Sequence, residues 1–170
     1  CFETIIEALA LAPGAELTLV GNGERRRFLA NHAEALGVED RVRFVGECSD
    51  EALCELYAAS NLLCLPSCER TEAFGLVLLE AMRLGLPCLV ANTFGSGMSW
   101  VINDTSQRFR FEAENPHSLA SRLNDIRLHP EWLSGEGQRL RKRFLAEFHI
   151  KECAASILRT YASTTRAGST

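Results

Sequence analysis

The chain has 170 residues, 46% of them hydrophobic and 24% charged, with a formal net charge of -4. That length supports one domain with a core of its own, and the acidic balance argues against a nucleic-acid partner, whose phosphates want a basic face. No apolar run reaches the roughly 18 residues of a membrane span, and no signal peptide is visible.

"CFETIIEALALAPG" opens without an initiator methionine and already in helical period, so the chain reads as a piece cut inside a longer protein. A helix is predicted over residues 2–12, stopped by Pro13-Gly14. "ELTLVGNG" is a short strand running into a glycine turn, followed by a charged helix over about 24–36 that Gly37 ends as a C-terminal cap. "RVRFVG" is the next strand and "SDEALCELYAAS" the next helix, with Ser49 or Asp50 as its N-cap. "NLLCLP" is a strand, "AFGLVLLEAMRLG" a helix starting near Phe74, and "PCLVA" a strand so apolar that both its faces must be covered. After a loop, "GSGMSWVIND", a weaker strand runs through "QRFRF". Asn115 and Pro116 then begin a helix as cap and first turn, residues 131–163 are helical and amphipathic, and 164–170 form a flexible tail. Strands alternating with helices through short connections specify an α/β fold, a Rossmann-like parallel sheet sandwiched by helices. Ligands of such folds gather where strand ends lead into helix N-termini.

Seven cysteines are present: Cys1, Cys48, Cys54, Cys64, Cys68, Cys88 and Cys153. Cys64 and Cys68 stand four apart but lack a second pair or nearby histidines, so no metal site is expected. Buried free thiols in a reducing compartment are the expectation.

The segment "LPSCERTEAFGLVLLEAMRLGLP" carries the chemistry. The first turn of its helix, Phe74, Gly75, Leu76 and Val77, presents backbone amides without intrahelical partners, at the positive end of the dipole. Gly75 has no side chain to keep a phosphate off that backbone. Glu80 stands among apolar neighbours on a helix expected to be buried on most sides, where a carboxylate needs donors such as a pair of sugar hydroxyls. Glu72 precedes the helix. At about 1.5 Å rise per residue plus the loop, the two carboxylates fall roughly 10 Å apart, the span of a diphosphate with a sugar at each end. The bland alternative stays open on spacing alone: Glu80 pairing with Arg83, and Glu72 favouring the dipole.

The stretch from Gly21 to Asn92, and with it almost the whole chain over roughly residues 2–160, strongly resembles the donor-binding half of family 4 retaining glycosyltransferases, which have the two-domain GT-B architecture. The resemblance rests on Val20-Gly21-x-Gly23, "RVRFVG", "LPS" and the Glu-x7-Glu motif, intact as Glu72 and Glu80. It implies that Glu80 binds ribose hydroxyls, that Glu72 binds the donor sugar and is catalytic, and that amides around Phe74, Gly75, Leu76 and Val77 take the distal phosphate. Val45 and Gly46 would lie against the base, and Gly21 would flank the nucleoside. No cofactor or metal is implied: a GDP- or UDP-linked hexose is the substrate, and its diphosphate departs with retention at the anomeric carbon. "TFGSGMSWVIND" further resembles a segment of bacterial enzymes building O-antigen and related surface polysaccharides, with Gly95 and Gly97 near the donor sugar. On this reading residues 1–163 are an N-terminally truncated donor domain, inactive alone. The implied partner is the acceptor domain of the same protein, and the whole enzyme would be cytoplasmic, with the inner-membrane face as its place of docking.

Some features depart from that family. The Gly-Arg strand end and the lysine that would flank the diphosphate have no counterpart here, and "NDTSQRFRF" lacks a glycine expected before its strand. Arg25, Arg26 and Arg27 read as a solvated helix face, and His32, His117, His129 and His149 lie away from the motif. A stand-alone nucleotide-sugar binding module, or one subunit of a split transferase, is the alternative.

Overall fold

The computed structural model describes residues 1–167, with side chains described as far as residue 162. Helix α1 (Phe2–Leu11) leads to strand β1 (Leu17–Val20), helix α2 (Arg26–Ala35), strand β2 (Val42–Gly46) and helix α3 (Asp50–Ala59). Strand β3 (Leu63–Leu65), helix α4 (Leu76–Leu84), strand β4 (Cys88–Asn92) and helix α5 (Met98–Ile102) follow. Strand β5 (Arg110–Glu112) and helices α6 (Pro116–Leu128), α7 (Glu131–Arg143) and α8 (Ile150–Ala167) complete the order, with a π turn over Phe144–Phe148 between the last two.

All pairings between these strands are parallel, in two ladders rather than one continuous sheet: β1 with β2, and β4 between β3 and β5. The first four residues of β4 are buried, as a strand with helices over both faces requires. It centres the main core, with Leu78 and Met82 of α4 and Val101 and Ile102 of α5. A smaller core joins α1 and α2 to the β1–β2 ladder through Ile6, Leu9, Leu29, Ala33 and Val42. Helix α1 serves both, since Ile5 and Ala8 face one core while Ile6 and Leu9 face the other. Arg41 fixes its end by donating to the carbonyls of Leu9, Ala12 and Ala15 at 2.8, 3.2 and 3.2 Å, setting a cation against the helix C-terminus and the turn that follows it.

The expected caps are present. Ser49 Oγ accepts from Ala52 N and Asn115 Oδ1 from Ser118 N, while Gly37 takes a φ of +65° beyond α2. Four expectations need correction. Helix α4 begins at Leu76, because Gly75 adopts the left-handed conformation (φ +74°) and is its N-cap. The segment after β4 is not all loop, since residues 98–102 form α5. Helical backbone continues through Ala167 where a tail was expected from 164, and the rest of that expectation lies outside the described residues. Finally, Cys1 and Cys68 are joined as a disulfide, whereas Cys48, Cys54, Cys64, Cys88 and Cys153 are free. Burial pushes the Cys64 thiol up to about 12.

The turn before β5 explains how the chain manages without the expected glycine. Buried Asp104 accepts from Ser106 N, Ser106 Oγ and Phe109 N at 3.0, 2.6 and 2.9 Å, and Gln107 takes the left-handed conformation at φ +57°. No described helix is long and apolar enough to cross a membrane.

Two glycines of α7 should respond oppositely to alanine. A Cβ on Gly137 would meet the Gly85 carbonyl oxygen at 2.1 Å, whereas one on Gly135 meets nothing within 4 Å. Gly137→Ala should lose about 1–3 kcal/mol or more in urea unfolding. Gly135→Ala should gain about 0.5–1 kcal/mol. Two changes of the same sign would contradict this packing.

Candidate functional site

The loops after β3 and β4 are bound to each other before any ligand is considered. Thr93 Oγ1 donates to Ser67 O at 2.7 Å, Ser96 Oγ to Glu72 O at 2.8 Å, and Gly97 N to Ala73 O at 2.9 Å. The last contact needs glycine, since a Cβ there would lie 2.2 Å from the Ala73 oxygen. Inside the first loop, Glu72 Oε1 accepts from Gly75 N at 3.0 Å. Glu72 thus holds the chain's approach to α4 and spends one carboxylate oxygen on it.

Gly75 is required for a different reason than outward clearance. It is buried, and a Cβ would come within 3.0 Å of Leu65 Cδ2 and Leu78 Cδ1, so its bare face turns toward the core. With Gly75 N taken by Glu72 and Leu78 N donating to Gly75 O, the amides of Leu76 and Val77 are the first-turn donors left for a ligand. Leu76 is 70% exposed, so this end of the helix is accessible.

Glu80 lies four residues beyond Leu76, on the same helical face. It is exposed, which corrects the expectation of a helix buried on most sides. Its bonding partner is not Arg83 but Tyr57 of α3, whose hydroxyl donates to Glu80 Oε2 at 2.8 Å. Burial, reinforced by that bond, pushes the phenol's pKa upward, so Tyr57 keeps its proton at ordinary pH.

Phe74 is half-buried and packs against Trp100 of α5 and Phe148 of the π turn, with ring centroids 6.2 and 5.9 Å away. Helix α5, too short to stabilise itself, is held by arginines at its carbonyl end. Arg143 donates to Val101 O and Trp100 O at 2.9 and 3.1 Å, and Arg139 to Ile102 O and Asn103 O at 2.6 and 3.2 Å.

Gly21, Val45 and Gly46 form a second group at the ends of β1 and β2. Gly21 N donates to Gly46 O at 2.7 Å, both with positive φ (+117° and +81°). Arg26 donates to Phe44 O at 3.2 Å and lies over the Phe44 ring, so it is not a plain solvated cation. Arg25 is likewise engaged, by Glu3. Among the described residues no hydrogen bond joins this group to the Glu72–Glu80 group.

Sequence reasoning missed Tyr57, Ser96 and the two α7 arginines. Tyr57 alone left a signal, because a tyrosine on a packed helix face needs a partner for its hydroxyl.

Residues 2–143 match the family described as glycosyl transferases group 1. The chain is 34% identical over 125 residues to the lipopolysaccharide core biosynthesis glycosyltransferase LpsE of Rhizobium meliloti, covering 74% of this chain and 35% of that protein. A sucrose-phosphate synthase from Thermosynechococcus elongatus superposes with a TM-score of 0.81 at 28% identity, over 97% of this chain and 42% of that one. HepE of Anabaena, solved in complex with UDP-glucose, gives 0.79 at 26% identity, over 94% of this chain and 44% of that one. The chain spans about a third of the length of curated relatives it matches.

Gly97→Ala should drive the two loops apart and cost about 2 kcal/mol or more, lowering the urea midpoint. A variant as stable as the parent would show that the Ala73 contact is not tight.

Proposed function

The chain belongs to the glycosyl transferases group 1 family, and on that premise we propose that it is the donor-binding half of a retaining glycosyltransferase. The observation that carries this reading is the threshold of α4. Glu72 is fixed on Gly75 N, the Leu76 and Val77 amides are left over, and Glu80 lies on the same face one turn further. A nucleoside diphosphate sugar lies along that face. Its ribose hydroxyls meet Glu80, its distal phosphate meets the Leu76 and Val77 amides, and its hexose lies toward Glu72 and the Gly95–Gly97 loop. Val45, Gly46 and Gly21 flank the base and nucleoside.

Transfer then consists of breaking the bond between the anomeric carbon and the distal phosphate oxygen, which keeps the electron pair. An acceptor hydroxyl forms the new bond on the same face and passes its proton to the departing diphosphate, so configuration is retained. Charge growing on the departing diphosphate is stabilised by amides and a helix dipole already in place. Neither a metal nor a resident cofactor has a part in this scheme. Glu72 keeps one oxygen for a sugar hydroxyl, since Oε1 is engaged by Gly75 N. The open, exposed rim is one wall of a cleft. Its other wall belongs to an acceptor domain, consistent with a chain spanning 42% and 44% of two solved neighbours.

The likeness to LpsE supports a role in lipopolysaccharide or surface-polysaccharide assembly, on a saccharide or lipid-linked acceptor. The place of action is the cytoplasm, at the inner-membrane face.

Thermal-shift titration with UDP, GDP and their hexose conjugates tests the site. Ligand at about 100 times its Kd should add about 2.7 kcal/mol, raising Tm by roughly 5–10 °C. Glu80→Ala should cut the shift sharply, and an undiminished one rejects the ribose assignment. The 170-residue chain alone should transfer no sugar, so turnover by it would refute its being only a donor half.

A further inference from the structure

Helices α3 and α4 meet beside the site, and one polar contact crosses between them. The Tyr57 ring packs against the main core while its hydroxyl reaches Glu80 Oε2 at 2.8 Å, a good O–H···O distance across 23 residues of sequence. We propose that Tyr57 is a positioning residue for donor binding: it holds the Glu80 carboxylate in the orientation that accepts the vicinal hydroxyls of a ribose. This rests on the ribose assignment of Glu80 made above.

Glu80 is exposed on its helix, and a free glutamate there samples many rotamers. Ordering it would be charged against ligand affinity. Tyr57 removes that cost in advance, because its own ring is fixed by packing and has few torsions to lose.

Acceptor capacity fits the assignment. An ionised carboxylate offers about four lone-pair positions. One is taken by the Tyr57 hydroxyl, two serve a cis-diol, and Oε1 is left unencumbered for one of them. The phenol is suited to the task because it donates to a carboxylate without placing a positive charge beside the diphosphate. Its raised pKa keeps it a donor, while an arginine or lysine at the same place would also attract the phosphates and blur the register of the ligand.

The inference concerns the ribose, so its test uses the ribose. Isothermal titration compares UDP and GDP with their 2′,3′-dideoxy forms, on the parent chain, Tyr57→Phe, Glu80→Ala and the double variant. Phenylalanine retains the ring and its packing, removing the hydroxyl alone. Tyr57→Phe should weaken the bound ribonucleotide about five- to tenfold, the scale of one net intramolecular hydrogen bond. The dideoxy form should lose less than about twofold, because no diol remains for Glu80 to receive. In the Glu80→Ala background, Tyr57→Phe should cost nothing more.

Equal losses for ribose and dideoxy ligands would make Tyr57 merely structural and overturn the proposal. Ribonucleotide affinity unchanged in Tyr57→Phe would overturn it as well, leaving the ribose assignment standing. A parent chain that binds ribo and dideoxy forms equally, or binds neither nucleotide, would remove the assignment of Glu80 and this inference with it.

Discussion

The closeness of two backbones at Gly97 and Ala73 is the constraint on which the site depends. A hydrogen bond of 2.9 Å between a loop amide and a loop carbonyl, with no room for a methyl group, sets the spacing of the segments after β3 and β4. Thr93 and Ser96 add two rungs before it in sequence. Once those segments are registered, Glu72 can turn its carboxylate onto Gly75 N, and α4 starts with two amides unclaimed. The buried strand β4 supplies the platform: its faces are covered by helices, so the candidate residues collect near its carboxyl end.

Cations are deployed more for structure than for the ligand. Arg41 secures the end of α1, Arg26 the middle of β2, and Arg139 and Arg143 the end of α5, in each case by donating to carbonyl oxygens. At the α4 threshold the unpaired amides supply a fixed positive potential, and the Arg70 guanidinium lies close by against Gly95. A dipole cannot swing away or be neutralised by a mobile counter-charge, which suits the stabilisation of a leaving group.

The order of helices and strands was legible because it is written in local signals. The apolar run of β4, the cap residues Ser49 and Asn115, and the period of α6 and α7 each lie within a few residues of what they determine. Glu72 and Glu80 stood out through the resemblance of the Glu-x7-Glu motif, whereas their spacing alone left an ordinary structural role open. The exposure of Glu80, the core-facing role of Gly75 and the helical residues 98–102 were not legible. They follow from contacts such as Tyr57 with Glu80, across 23 residues, and Arg143 with Val101, across 42, and long-range side-chain bonds leave no period in a sequence. The separation of the strands into two ladders was hidden for the same reason.

Helix α5 has five residues, too few for much hydrogen bonding of its own, and the carbonyls at its exit are met by side chains from a helix some forty residues later. The glycine loop at its other end therefore inherits its placement from α7. Loss of Arg139 or Arg143 would release α5 and, with it, the glycine loop facing the start of α4, so the shape of the candidate site is inherited from residues well outside it.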